Sequence, residues 1–135
     1  MGLFDSFKRQ ASQPAPEAPA TPRGPDESQV PEVTASELIL EQRGACPPML
    51  LDCREDYEWQ QLRIPGSAHI PMRQIPRRLA ELDQEAEIVV VCAHGDRSYR
   101  MAGYLSEQGF CARSLRGGLV EWLARGGPVE NGRRQ

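Results

Sequence analysis

The sequence predicts an α/β layer fold built on a parallel sheet. Three observations point there. Strand-like and helix-like segments alternate along the chain. The apolar run at residues 88–91 shows no polar alternation, so it reads as a strand covered on both faces. That run ends at Cys92 and passes through a polar, glycine-containing turn into a helical pattern. Folds of this class bind ligands beyond the carboxyl ends of their strands, where Cys92 is expected.

In chain order, residues 30–33 read as a short first strand. Thr34 and Glu37 have capping-box spacing, in which each side chain satisfies the other's backbone N–H, and they open a helix to about residue 43 with Leu38 inward. Met49–Asp52 is the second strand, residues 56–62 a short helix and Ala68–His69 the third strand. Pro76 opens or bounds a helix that runs through Leu79 and Leu82. The fourth strand, residues 88–91, leads to a helix over residues 98–108 with Met101, Ala102 and Leu105 inward, and Gly109 supplies its stop. Residues 112–115 form the fifth strand and residues 118–125 the last helix, with Trp59 and Trp122 as packing residues. No internal repeat is evident.

The chemistry concentrates in Val89-Val90-Val91-Cys92-Ala93-His94-Gly95-Asp96-Arg97-Ser98. N–H groups at a helix start have no intrahelical partner and lie at the positive end of its dipole, so a tight turn there converges on an anion. A thiol at the base of such a turn is expected to ionise. A cysteine closing an apolar strand is more often a buried structural thiol, but the spacing to Gly95 and Arg97 makes Cys92 a candidate nucleophile. Arg97 is expected to balance the anion and favour the thiolate rather than remain a solvated helix-start arginine. Ala93, His94, Gly95, Asp96 and Ser98 are the candidate binding positions of the cradle. His94 is read as lining the entrance and tuning the choice of acceptor. Asp96 is expected to point outward, because a carboxylate turned inward opposes the thiolate. Arg100 and Arg116 either add positive potential at the mouth or are surface charges.

Two further segments accompany the loop. Leu50-Leu51-Asp52-Cys53-Arg54-Glu55-Asp56-Tyr57-Glu58-Trp59 leads to Ile64-Pro65-Gly66-Ser67-Ala68-His69-Ile70-Pro71, and Gly117-Gly118-Leu119-Val120-Glu121-Trp122 leads to Gly126-Gly127-Pro128-Val129. In this order, across roughly residues 30–130, the three pieces resemble the signatures of the rhodanese family in its single-domain form. Cys53 stands where that family usually has Val or another small apolar residue, and Ser67 where it more often has Ala. The resemblance implies a five-stranded, mostly parallel sheet with helices on both faces. It also implies a sulfurtransferase in which Cys92 takes a sulfane sulfur from thiosulfate or a persulfide and yields it to cyanide, a low-molecular thiol or a protein cysteine. The amides of residues 93–98 would stabilise the negative sulfur, and no metal or organic cofactor is implied. Sulfurtransferases of this kind place four residues between cysteine and arginine, whereas phosphatases and arsenate reductases on the same fold place five. Here Ala93, His94, Gly95 and Asp96 make four. Asp52 and Arg54 match the family's Asp-x-Arg and are implied as a structural pair near the site, with His69 a satisfied structural histidine. The rival readings are a non-catalytic recruitment module and, behind it, a phosphatase or arsenate reductase.

A chain of 135 residues with 39% hydrophobic content supports one domain of about 100 residues, expected at residues 30–131. Its net charge of −3 and pI near 5.4 argue against a nucleic-acid binder. No apolar run reaches the roughly 18 residues needed to span a bilayer, and no secretory h-region is present, so a cytoplasmic location is expected. Cys46, Cys53, Cys92 and Cys111 lack C-x-x-C spacing, and a disulfide framework has no support without an export signal. Cys53 and Cys111 are expected in the core and Cys46 in a loop, where a role in accepting sulfur from Cys92 is the remoter reading. Residues 1–29 are rich in proline and alanine and poor in large apolar groups, so they read as a disordered tether, as do residues 132–135 as a tail. Leu3, Phe4 and Phe7 share a helical face, leaving residues 1–8 a docking or membrane-surface helix or, more plainly, a frayed terminus. Gly2 and Ser6 match the myristoylation pattern only formally.

Overall fold

The computed structural model describes residues 29–131. The tether expected over residues 1–29, Gln29 aside, the docking segment at residues 1–8 and the tail at residues 132–135 lie outside the described residues.

Five strands, β1 (Glu32–Val33), β2 (Met49–Asp52), β3 (Ala68–His69), β4 (Glu87–Val91) and β5 (Cys111–Leu115), form one sheet in the order β1-β5-β4-β2-β3. All four pairings are parallel. Between the strands lie α1 (Ala35–Gln42), α2 (Asp56–Gln61) and α3 (Asp96–Glu107), and α4 (Gly118–Ala124) follows β5. The capping box at α1 is formed, with Thr34 Oγ1 accepting from the Glu37 amide at 3.1 Å and Glu37 Oε1 accepting from the Thr34 amide at 3.0 Å.

Side chains alternate across β4, which explains why its apolar run is continuous. Val89 and Val91, with Val33, Leu50 and Leu115, pack against Ala35 and Leu38 of α1 and Leu119 and Trp122 of α4. Ile88 and Val90 take the other face, which α3 covers with the buried Met101, Ala102 and Leu105. Both faces are therefore dry, and each fully buried side chain of this size contributes roughly 1.5–3 kcal/mol. Gly109 follows α3, where the Phe110 amide returns to the Leu105 carbonyl at 3.0 Å.

Three expectations are corrected. Residues 72–82 carry no α-helix but two 3₁₀ segments, Met72–Arg77 and Leu79–Glu81, and Pro76 sits inside the first. Proline has no N–H for an i→i−4 bond, and the bonds that form span three residues, from Gln74 to Pro71 and from Arg78 to Ile75. α3 begins at Asp96, two residues before the apolar pattern starts. Cys111 is exposed, because it is the first residue of β5, paired with exposed Glu87 at the far end of the sheet. Among the described residues no helix is long and apolar enough to cross a membrane.

The register sets up the site. Asp52 is paired with Val91, so the next residues, Cys53 and Cys92, leave neighbouring strands side by side at the carboxyl end of the sheet.

Candidate active site

Cys92 is fully buried at the end of the central strand. Its Sγ accepts from the Gly95 amide at 3.0 Å and from the Ser98 amide at 3.2 Å, and Ser98 Oγ lies 3.4 Å away. Ser98 Oγ is also 2.7 Å from Ser114 Oγ on β5 and 3.3 Å from the Gly95 carbonyl. Ser114 can donate to Ser98, which frees the Ser98 hydroxyl proton to turn toward an anionic sulfur. Of the cradle amides expected over residues 93–98, those of Gly95 and Ser98 bond the sulfur itself.

Glycines shape the turn. Gly95 has φ of 102°, a left-handed conformation that bends the loop back over Sγ. The first amides of α4 hold the loop from behind, with Leu119 N donating to the Cys92 carbonyl at 2.8 Å and Val120 N to the Ala93 carbonyl at 3.1 Å. This approach requires Gly118, where a Cβ would lie 2.5 Å from the Ala93 carbonyl carbon. The Gly117-Gly118 pair is thus the bed on which the loop rests.

Arg97 is placed differently from the sequence expectation. Its guanidinium bonds Glu58 of α2 through two contacts, Nη1 to Oε1 at 3.0 Å and Nη2 to Oε2 at 3.1 Å. That bond is the main reason the Arg97 pKa is raised and the Glu58 carboxyl is held below its usual range; Cys92 adds a smaller Coulombic contribution to Arg97. Arg97 therefore lies within electrostatic reach of the thiol while its charge is matched by Glu58. Glu58 Oε1 also accepts from the Glu55 amide at 2.9 Å, closing the capping box of α2.

Asp52 and Arg54 form the buried pair expected of them. Arg54 Nε and Nη2 reach the two Asp52 oxygens at 2.9–3.0 Å, and Nη2 also donates to the Leu62 carbonyl at 2.6 Å. His69 Nε2 donates to the Arg54 carbonyl at 2.8 Å, and its ring stacks on Trp59 with centroids 4.8 Å apart. Trp59 is half-buried, whereas Trp122 is buried and donates to the Pro128 carbonyl at 2.9 Å. His94 and Arg100 are exposed, and Arg116 pairs with Glu32 at 3.1 Å on the surface. Asp96 is exposed but is not turned away: Oδ1 lies 3.9 Å from Sγ.

The other cysteines differ sharply. Burial above all pushes the Cys53 thiol up to about 12, with neighbouring Cys92 and Asp52 adding to the rise, so it is protonated at neutral pH. Cys46 and Cys111 are exposed and line a concavity of about 790 Å³ with Glu41, Glu87 and Arg113. This concavity opens at the amino ends of the strands, where Glu87 stands about 16 Å from Cys92 along β4. Its size does not make it the reaction centre, because it lacks the converging amides that surround Cys92. Among the described residues no group of three or more His, Cys, Asp or Glu is placed to hold a metal ion.

Sequence reasoning missed Glu58 and Ser114. Glu58 had a signal in the Glu55/Glu58 capping-box spacing, whereas Ser114, next to the charged Arg113 in a strand of mixed polarity, had none.

A parallel sheet whose central strand ends in a cysteine, under a turn of amides at a helix start, defines an α/β domain centred on a cysteine whose sulfur accepts from loop amides. The family profile of the rhodanese-like domain matches residues 34–125, and the chain belongs to the rhodanese family. It is 37% identical over 82 residues to a sulfurtransferase of Allochromatium vinosum, covering 60% of this chain and 77% of that relative. It is also 37% identical over 86 residues to the thiosulfate sulfurtransferase GlpE of Pseudomonas savastanoi pv. phaseolicola, covering 63% and 78%. The crystal structure of a rhodanese-related protein from Thermoplasma volcanium matches with a TM-score of 0.68 at 30% identity, over 75% of this chain and 98% of that one.

Proposed function

We propose that this rhodanese-family sulfurtransferase moves a sulfane sulfur from thiosulfate or a persulfide to a thiophilic acceptor through a persulfide on Cys92. The observation that carries this reading is the pair of amide donors, Gly95 and Ser98, aimed at a single buried sulfur. In the first step the Cys92 thiolate attacks the outer sulfur of thiosulfate; a new S–S bond forms, the bond to the sulfonate sulfur breaks, and its electron pair leaves with sulfite. Cys92 then carries the persulfide anion, stabilised by loop amides in the way an oxyanion hole stabilises oxygen. In the second step cyanide, a low-molecular thiol or a protein cysteine attacks the outer sulfur and the Cys92 thiolate is restored. No general base is needed once the thiol is ionised. Arg97, whose charge is largely matched by Glu58, adds positive potential within reach of the sulfur, and Ser98 and Ser114 supply a hydroxyl proton at its flank. The similarity to thiosulfate sulfurtransferase GlpE and the four-residue spacing from Cys92 to Arg97 both support sulfur over phosphorus chemistry.

The test is turnover of thiosulfate and cyanide by the full chain, read as thiocyanate. Parallel double-reciprocal lines are expected, since two displacement steps share one enzyme intermediate, together with negligible hydrolysis of an aryl phosphate. Efficient aryl phosphate hydrolysis that disappears in Cys92→Ser would overturn the assignment.

A further inference from the structure

Asp96 is the one cradle residue whose side chain opposes the chemistry of its surroundings. Its carboxylate, which accepts from the Cys92 thiol at 3.9 Å, stands as a negative charge beside the sulfur on which the reaction depends. The amides of Asp96 and Arg97 in the first turn of α3 hold that carboxyl below its usual range, so it is ionised at neutral pH, with Arg97 and Arg100 contributing less. Those two amides are among the donors that an incoming anion would otherwise meet. The Arg97 charge is already matched by Glu58 at 3.0 and 3.1 Å, which leaves the Asp96 charge incompletely balanced at the mouth.

We infer that Asp96 determines donor specificity: its carboxylate beside Sγ disfavours doubly charged sulfane donors and leaves singly charged ones, persulfides and thiosulfonates, as the preferred class. This rests on the sulfur-transfer reading above and narrows it. Thiosulfate brings its outer sulfur to Cys92 with a charged sulfonate behind it, so both charges approach the Asp96 side of the cradle. A thiosulfonate delivers the same outer sulfur to the same thiolate and releases a sulfinate, with one charge fewer at the mouth.

Methanethiosulfonate and thiosulfate, each with cyanide as acceptor, separate the two cases. The quantity to measure is the ratio of kcat/KM for the two donors in the full chain and in Asp96→Asn, Asp96→Ser and Asp96→Glu. Removing the charge in Asn or Ser is expected to shift the ratio toward thiosulfate by up to about fivefold, the factor one unit charge contributes in water to a second charge about 4 Å away. The shift should lie mainly in KM and shrink as ionic strength rises, and Glu should keep the wild-type preference. A ratio unchanged in both Asn and Ser overturns the inference, and shows Asp96 to be only a first-turn helix residue. Because the wild-type ratio must itself move toward thiosulfate with added salt, a salt-independent ratio overturns it even if both variants fail to fold. A wild type that takes sulfur from neither donor removes the sulfur-transfer reading, and this inference with it.

Discussion

Two amide donors within 3.2 Å of one buried sulfur concentrate the reaction on Cys92. Cys92→Ser should abolish thiocyanate formation and leave the circular dichroism spectrum unchanged, whereas Cys46→Ser and Cys111→Ser, at exposed positions across the sheet, should keep most activity. A comparable loss in Cys46→Ser would require a sulfur relay that this geometry does not offer. Arg97→Ala removes the cation within reach of the thiol and also leaves the Glu58 carboxylate without its partner. Both changes disfavour the thiolate, so alkylation of Cys92 by iodoacetamide should slow near neutral pH. An unchanged rate over about pH 5 to 9 would remove Arg97 from the mechanism. The positions of Cys92, Gly95 and Arg97 were readable because one turn holds them all, and the Asp52–Arg54 pair because it spans two residues. Glu58 and Ser114 were not, because they meet their partners across 39 and 16 residues of chain, a separation that only the closed sheet brings together.

At the scale of elements, the loop depends on α4 as much as on the strand that carries it. Gly118→Ala would place a methyl group 2.5 Å from the Ala93 carbonyl carbon at a backbone φ of 63°. The strain alone costs about 1–3 kcal/mol. Moving the loop to relieve it would draw the Gly95 and Ser98 amides off the sulfur. The variant should therefore lose stability in urea and lose more activity than its folded fraction explains; full activity at wild-type stability would contradict the account. The strands and most helices were legible because apolar periodicity and caps are local: β2 and β3 carry the predicted bounds, and α1 its predicted cap. The 3₁₀ segments were not, since Leu79 and Leu82 give a helical period while Pro76 vetoes the α-helical bonds. Cys111 misled for a related reason, as strand propensity says nothing about where the helical cover ends.

For the molecule as a whole, two of the ion pairs that tie distant parts of the chain set its response to acid. Glu58 is bonded to Arg97 and Glu41 to Arg113, and in each case the arginine bond is the main cause that holds the glutamate below its ordinary value of 4.5. A carboxyl whose folded pKa is depressed contributes stability that is present above the unfolded value and is lost as pH falls through the folded one. Stability should thus be level at neutral pH and decline as pH drops below 4.5. Glu58→Gln should flatten part of that decline, which urea midpoints measured across the acid range would show; an identical acid profile in the variant would mean that the pair adds nothing. The central claim, that Cys92 itself carries the sulfur, is met most directly by intact and peptide mass spectrometry of the full chain after thiosulfate treatment. One added sulfur atom is expected, on the peptide containing Cys92, removed by cyanide and absent from Cys92→Ser. Sulfur found on Cys46 or Cys111 with Cys92 unmodified would contradict it.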